Sequence, residues 1–142
     1  MFRALTDDVL VSPQIDAAAV AEAARLGVTL IVNNRPEGES PDQVAGAEIE
    51  AAARAAGLGY IAIPVTHSGF SEPQVTAMAE ALEGAHGRVL AYCRSGTRST
   101  LLWALAEAKG GADPATLSEI AAAAGYDLSP IRPLMDMLKA QA

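Results

Sequence analysis

Three short apolar runs govern what this chain can fold into: residues 28–32, 60–65 and 88–92. Each is too short for an ordinary helix and is followed at once by a polar loop, the pattern of strands covered on both faces. Longer helical stretches separate them. Residues 15–26 are closed by Gly27, residues 42–56 end near Gly57, and residues 72–85 follow Ser71 as N-cap, with Pro73 in the first turn. Parallel strands cannot be joined by tight turns, so this alternation predicts an α/β fold with right-handed crossovers. Ligands bind beyond the carboxyl ends of such strands, where the loops at 33–41, 66–70 and 93–98 would meet.

Residues 2–5 and 9–12 flank Thr6, Asp7 and Asp8 and predict a small hairpin. Ser12-Pro13 reads as the entrance to the first helix. Beyond the last strand, helices are predicted over 97–109, 114–124 and 130–140, broken at Gly110-Gly111 and Gly125-Tyr126-Asp127. No repeat or linker divides the chain, and 51% hydrophobic residues suffice for a core, so residues 1–142 are predicted to form one domain. A net charge of −7 argues against nucleic acid and anionic membrane as partners. One cysteine forms no intrachain disulfide, and no window approaches the ~18 apolar residues of a membrane span, which predicts a cytoplasmic protein.

The chemistry is concentrated in Cys93-Arg94-Ser95-Gly96-Thr97-Arg98-Ser99. A strand that ends in cysteine and passes through a short loop into a helix aims successive backbone N–H groups at one point, an anion nest reinforced by the helix N-terminus. Gly96 allows a positive φ and close approach to a ligand. The same field favours thiolate over thiol and makes Cys93 the predicted nucleophile. Arg98 is predicted to bind two oxygens of a tetrahedral anion through its planar fork, and Ser99 to donate to the thiolate or the leaving sulfur. Arg94, Ser95, Gly96 and Thr97 complete the expected binding loop. A buried structural cysteine is the competing reading, but two arginines and a glycine around it suit an anion better than a core turn.

The chain resembles the bacterial beta-lactamase hydrolase-like, phosphatase-like domain family, whose members look like small dual-specificity protein tyrosine phosphatases. The resemblance rests on Val11-Ser12-Pro13-Gln14-Ile15, Asn33-Asn34-Arg35-Pro36-Glu37-Gly38-Glu39, Ile63-Pro64-Val65 and, above all, Ala91-Tyr92-Cys93-Arg94-Ser95-Gly96-Thr97-Arg98-Ser99. It implies a protein tyrosine phosphatase-like fold: a central, mostly parallel sheet between helices, with the active loop between the last strand and a helix. The loop departs from the phosphatase pattern, C-x5-R, by one residue. Its Cys-Arg-x-Gly-x-Arg run looks like the active loop of rhodanese sulfurtransferases, although no matching Gly-His-Ile opening segment is present. The phosphatases also place an aspartate on the loop after the second of the three runs, whereas this chain has Thr66-His67-Ser68-Gly69-Phe70-Ser71-Glu72, with His67 or Glu72 as substitutes.

These features predict, first, a sulfurtransferase that carries a persulfide on Cys93, taking sulfur from a small sulfur-containing anion and passing it to a thiol such as glutathione. The alternative is a phosphatase acting on phosphotyrosine or small phosphate esters through a Cys93 thiophosphate. A third reading is a redox-sensing or anion-binding module. Arg35, with Asn33 and Asn34, is predicted either to help bind the substrate or brace the cysteine loop, or else to form a self-capped polar turn. Trp103 is assigned to the core and His86 to a helix end away from the site. No cofactor is called for, and two distant histidines and one cysteine give no metal spacing.

Overall fold

The computed structural model describes residues 1–142. In chain order its elements are β1 (Arg3–Ala4), β2 (Val9–Ser12), α1 (Ala17–Arg25), β3 (Val28–Asn33), α2 (Gly46–Ala55), β4 (Gly59–Ala62), α3 (Glu72–Gly84), β5 (Arg88–Tyr92), α4 (Thr97–Lys109), α5 (Pro114–Ala123) and α6 (Arg132–Gln141). A single 3-10 turn, Ser129–Ile131, precedes α6. The five strands form one sheet in the order β1-β2-β5-β3-β4. All neighbours are parallel except β1, which pairs antiparallel to β2. The α/β class and the mostly parallel sheet flanked by helices are as the sequence predicts.

The predicted hairpin forms, with Arg3 opposite Val11. Its second strand does more than the hairpin requires: β2 also pairs in parallel with β5, Val9 opposite Val89 and Ser12 opposite Tyr92. The sheet therefore has four parallel strands where the apolar runs disclose three. A four-residue run carries no record of how many neighbours it has. The run at 60–65 is not a strand buried on both faces. It is the edge strand β4, exposed at Gly59 and Ala62 and half-buried between them, and it ends before Ile63. Ile63 and Val65 still donate their N–H groups to the carbonyls of Asn33 and Asn34, at 2.9 Å each. Pro64, which has no N–H, points to solvent between them.

Two helix starts differ from prediction. α1 begins at Ala17 because Asp16, not Ser12, caps it, accepting from the Ala19 N–H at 2.9 Å. Residues 42–45 stay outside α2 because acceptors from the preceding loop reach forward: Glu37 Oε1 accepts the Gly46 N–H at 2.9 Å and so caps the helix from nine residues upstream. Ser71 caps α3 as predicted, in a reciprocal arrangement with Gln74.

The sheet is packed on both faces. α1, α2 and Ile15 just before α1 cover one side, where Ile15, Val20, Ile49 and Ala53 meet Leu10, Ile31 and Leu90. α3 to α6 cover the other, where Trp103, Leu102 and Leu105 of α4 meet Val11, Val32 and Ala91. Trp103 is buried, as expected of a core residue. α4 is the helix that fixes the site: nine of its residues are buried, so its first turn is held against the carboxyl ends of β5 and β3. No helix is long and apolar enough to cross a membrane.

Candidate active site

β5 runs directly into Cys93, whose N–H continues the sheet ladder by donating to Ser12 O at 3.3 Å. The cysteine is fully buried. The chain then turns over the sulfur: Gly96, at φ +90°, is the N-cap of α4, and its N–H donates to Cys93 Sγ at 3.1 Å. Thr100 secures the turn from within the helix, donating both N–H and Oγ1 to Gly96 O, at 3.0 and 2.8 Å. The sulfur therefore lies at the head of α4 under one backbone N–H, that of Gly96. Arg94, Ser95 and Thr97 form the exposed rim of the turn. Ser95 Oγ donates to Thr97 Oγ1 at 3.0 Å and accepts the Thr97 N–H at 3.4 Å.

Arg98 does not present an open fork. Its Nη1 and Nη2 donate to Glu39 Oε2 and Oε1 at 2.6 and 2.8 Å, and Nη1 also donates to Val65 O at 2.8 Å. The hydrogen bonds it donates to Glu39 raise its pKa most, burial opposes them, and the neighbouring Cys93 adds to the rise. Glu39 in turn accepts from Arg35 Nε at 2.9 Å. Held first by Arg98 and then by Arg35 against the opposing effect of burial, its carboxyl falls from an ordinary 4.5 to about 2. It is a fixed anion and no proton donor.

Arg35 is only 5% exposed, and its other two nitrogens donate to Gln14 Oε1 at 3.0 Å and Ser40 Oγ at 3.1 Å. Of the alternatives read from the sequence, these contacts account for a brace: Arg35 ties the segment after β2 and the 36–40 loop to the residue that holds Arg98. The self-capping reading is met at Asn33 alone, whose Oδ1 accepts the Arg35 N–H at 2.9 Å. Ser99 does not point to the sulfur. Its hydroxyl donates to Asn34 Oδ1 at 2.8 Å, and Asn34 Nδ2 donates to Ile63 O at 2.9 Å, a buried link between α4, β3 and the end of β4. Tyr92 Oη, beside the cysteine but on the opposite face of β5, is buried with no hydrogen-bond partner, and burial pushes its phenol well above the ordinary value.

The loops at 33–41, 66–70 and 93–98 share one edge of the sheet, as predicted. His67 is exposed on the middle loop, and Glu72 is exposed at the first turn of α3. His86 lies before β5, at the opposite edge, where it lines a cavity of about 420 Å³ with Trp103 and Glu107. Three participants carried no assigned role in the sequence: Glu39, Gln14 and Tyr126, whose Oη donates to Ser95 O at 3.3 Å. Only Glu39 left a signal, as an acid four residues from Arg35 in a segment already singled out.

A family model described as "Beta-lactamase hydrolase-like protein, phosphatase-like domain" matches residues 1–112. The chain is 36% identical over 107 residues to a beta-lactamase hydrolase-like protein of Xylella fastidiosa (strain Temecula1), covering 75% of this chain and 25% of that one. It thus spans about a quarter of the length of the curated relatives it matches. Among solved structures, a candidate phosphatase from Neisseria meningitidis Z2491 is 33% identical with a TM-score of 0.83, covering 96% of both chains. P. aeruginosa TpbA, solved in complex with pTyr, shares the fold at a TM-score of 0.69 and 18% identity, covering 99% of this chain and 88% of that one.

Proposed function

From the premise that this chain belongs to the family of phosphatase-like domains of beta-lactamase hydrolase-like proteins, we propose that it is a cysteine-dependent phosphatase acting on phosphate monoesters. The observation that carries this reading is the Gly96 N–H aimed at Cys93 Sγ at the head of α4, within a fold shared with a candidate phosphatase across 96% of the chain. Cys93 attacks phosphorus with its thiolate pair. The S–P bond forms, and the P–O bond to the leaving group breaks, its electron pair departing on the ester oxygen. Water then adds to phosphorus, the S–P bond breaks, and phosphate and thiolate are released. Loop amides and Arg94 hold the phosphoryl oxygens, while Arg98 lends charge from its post on Glu39.

The leaving oxygen needs a proton unless it is a good leaving group. Glu39 cannot supply one, so the role falls to His67 or Glu72, or to neither. Aryl phosphates such as phosphotyrosine, the ligand in the TpbA complex, demand least. Neither step calls for a cofactor, and a single reduced thiol suits a cytoplasmic location.

One specific observation favours a second reading. The loop is a residue shorter than C-x5-R, and the fork of Arg98 is filled by Glu39, which leaves a cradle suited to a single sulfur atom. In that reaction the thiolate attacks the outer sulfur of thiosulfate, the new S–S bond forms as sulfite leaves with its electron pair, and a glutathione thiolate then takes the sulfur. Intact mass spectrometry after separate incubation with para-nitrophenyl phosphate, thiosulfate and glutathione persulfide, with Cys93→Ser as control, separates the two. Nitrophenol release that depends on Cys93 supports the phosphatase. One added sulfur on Cys93 without nitrophenol release refutes it in favour of sulfur transfer.

A further inference from the structure

We infer that Tyr126 is a positioning residue for the nucleophile, acting through the single peptide unit between Ser95 and Gly96. That unit is planar and trans, so its C=O and N–H point in opposite directions and cannot be reoriented independently. The Gly96 N–H donates to Cys93 Sγ at 3.1 Å. On the far side of the same plane, Ser95 O accepts from Tyr126 Oη at 3.3 Å. Fixing the carbonyl therefore fixes the N–H that faces the sulfur.

The restraint matters here because the residue after the peptide is glycine. Gly96 sits at φ +90°, and glycine populates both signs of φ at little cost, so the loop's own backbone does little to prevent the peptide from flipping. Tyr126 also packs closely on Gly96, its hydroxyl occupying the space that a Cβ there would need. The phenol stays a donor: burial raises its pKa most, the Arg3 charge lowers it, and the Cys93 charge raises it again.

Tyr126 is itself held. Arg3 of β1 lies over its ring, 5.3 Å from the centroid, and donates through Nη1 to Ala124 O at 2.8 Å. β1 and the turn after α5 thus meet behind the cysteine loop, and that turn becomes part of the active site's support. This inference rests on the proposed function only in requiring Cys93 to act as a nucleophile, by either route.

Tyr126→Phe keeps the ring and removes only the hydroxyl. Hydrogen exchange of the Gly96 amide, followed by NMR of the labelled full chain, is expected to quicken about three- to tenfold, while amides in the middle of α4 keep their rates. In whichever assay the wild type turns over, kcat falls and KM is retained. An unchanged Gly96 exchange rate overturns the proposal. So does a uniform acceleration across α4, or an equal effect in Ile49→Ala, a core variant on the other face of the sheet. If Tyr126→Phe does not fold, Arg3→Gln, which frees the ring but keeps the hydroxyl, must quicken Gly96 exchange for the proposal to stand. A wild type inactive on phosphate esters refutes the phosphatase and leaves the exchange test intact.

Discussion

Replacing Glu39 by glutamine tests the arrangement on which the loop is hung. The carboxylate accepts three hydrogen bonds from Arg98 and Arg35, one of these arginines being 95% buried. A carboxyl at about 2 when folded, against 4.5 when unfolded, contributes at most about 3 kcal/mol. Because its folded pKa is depressed, that contribution is complete above about pH 4.5 and is lost as pH falls towards 2. At pH 3 the unfolded chain is protonated at this position while the folded one is still mostly ionised, which leaves a little over 1 kcal/mol. Glu39→Gln should therefore be about 3 kcal/mol less stable than wild type in urea at pH 7, and the gap should narrow by about 2 kcal/mol at pH 3. All other carboxyl groups titrate in both proteins and cancel in the difference. A gap that is absent at pH 7, or that stays constant down to pH 3, would show that Glu39 does not carry the two arginines as argued.

Gly96→Ala combines a left-handed backbone with an overlap on the Tyr126 hydroxyl. It should cost about 2 kcal/mol and abolish turnover, and a thermal midpoint within a degree of wild type would contradict the geometry. Ser99→Ala leaves Asn34 Oδ1 buried without its donor, which should cost about 1–2 kcal/mol. Additive losses in a double-mutant cycle with Asn34→Ala would rule out the bond between them.

The parts of the site that could be read from the sequence are those that lie within one short stretch. Cys93, the Gly96 turn and the helix that follows are contiguous, so strand, turn and thiol could be inferred together. The same holds for Ser71, whose cap and partner are three residues apart. What escaped depends on distance along the chain. Arg98 and Glu39 are 59 residues apart, and Ser95 and Tyr126 are 31 apart. An arginine's fork serves an anion or a carboxylate equally well, so the residue type does not say which it has found. β4 shows the same loss for strands: an apolar run records hydrophobicity, and only the neighbour order reveals that this one lies at the edge of the sheet. At the start of α1, Ser12 and Asp16 are both competent caps. The choice between them is made by β5, which pairs with β2 through Ser12 and draws it into the sheet.

The short loop and the Glu39 post are two aspects of one feature. With Gly96 as N-cap of α4, Arg98 is the second residue of the helix and Ser99 the third. Successive helical residues are rotated by about 100°. One more residue between cysteine and arginine, with the helix start kept, would carry the arginine to the place of Ser99, which is fully buried and faces Asn34. The shorter spacing instead leaves the arginine at the second position, half-buried, where its fork meets Glu39 and the carbonyl of Val65. A guanidinium placed there needs a carboxylate to offset its partial burial, and Glu39 is already drawn to the site by Arg35. In the proposed reaction the positive charge offered to a ligand would consequently come from the Gly96 amide, the helix head and Arg94, with Arg98 shared with Glu39. Loop length, through the direction it imposes on one side chain, thus sets how much charge the cysteine's partner must bring.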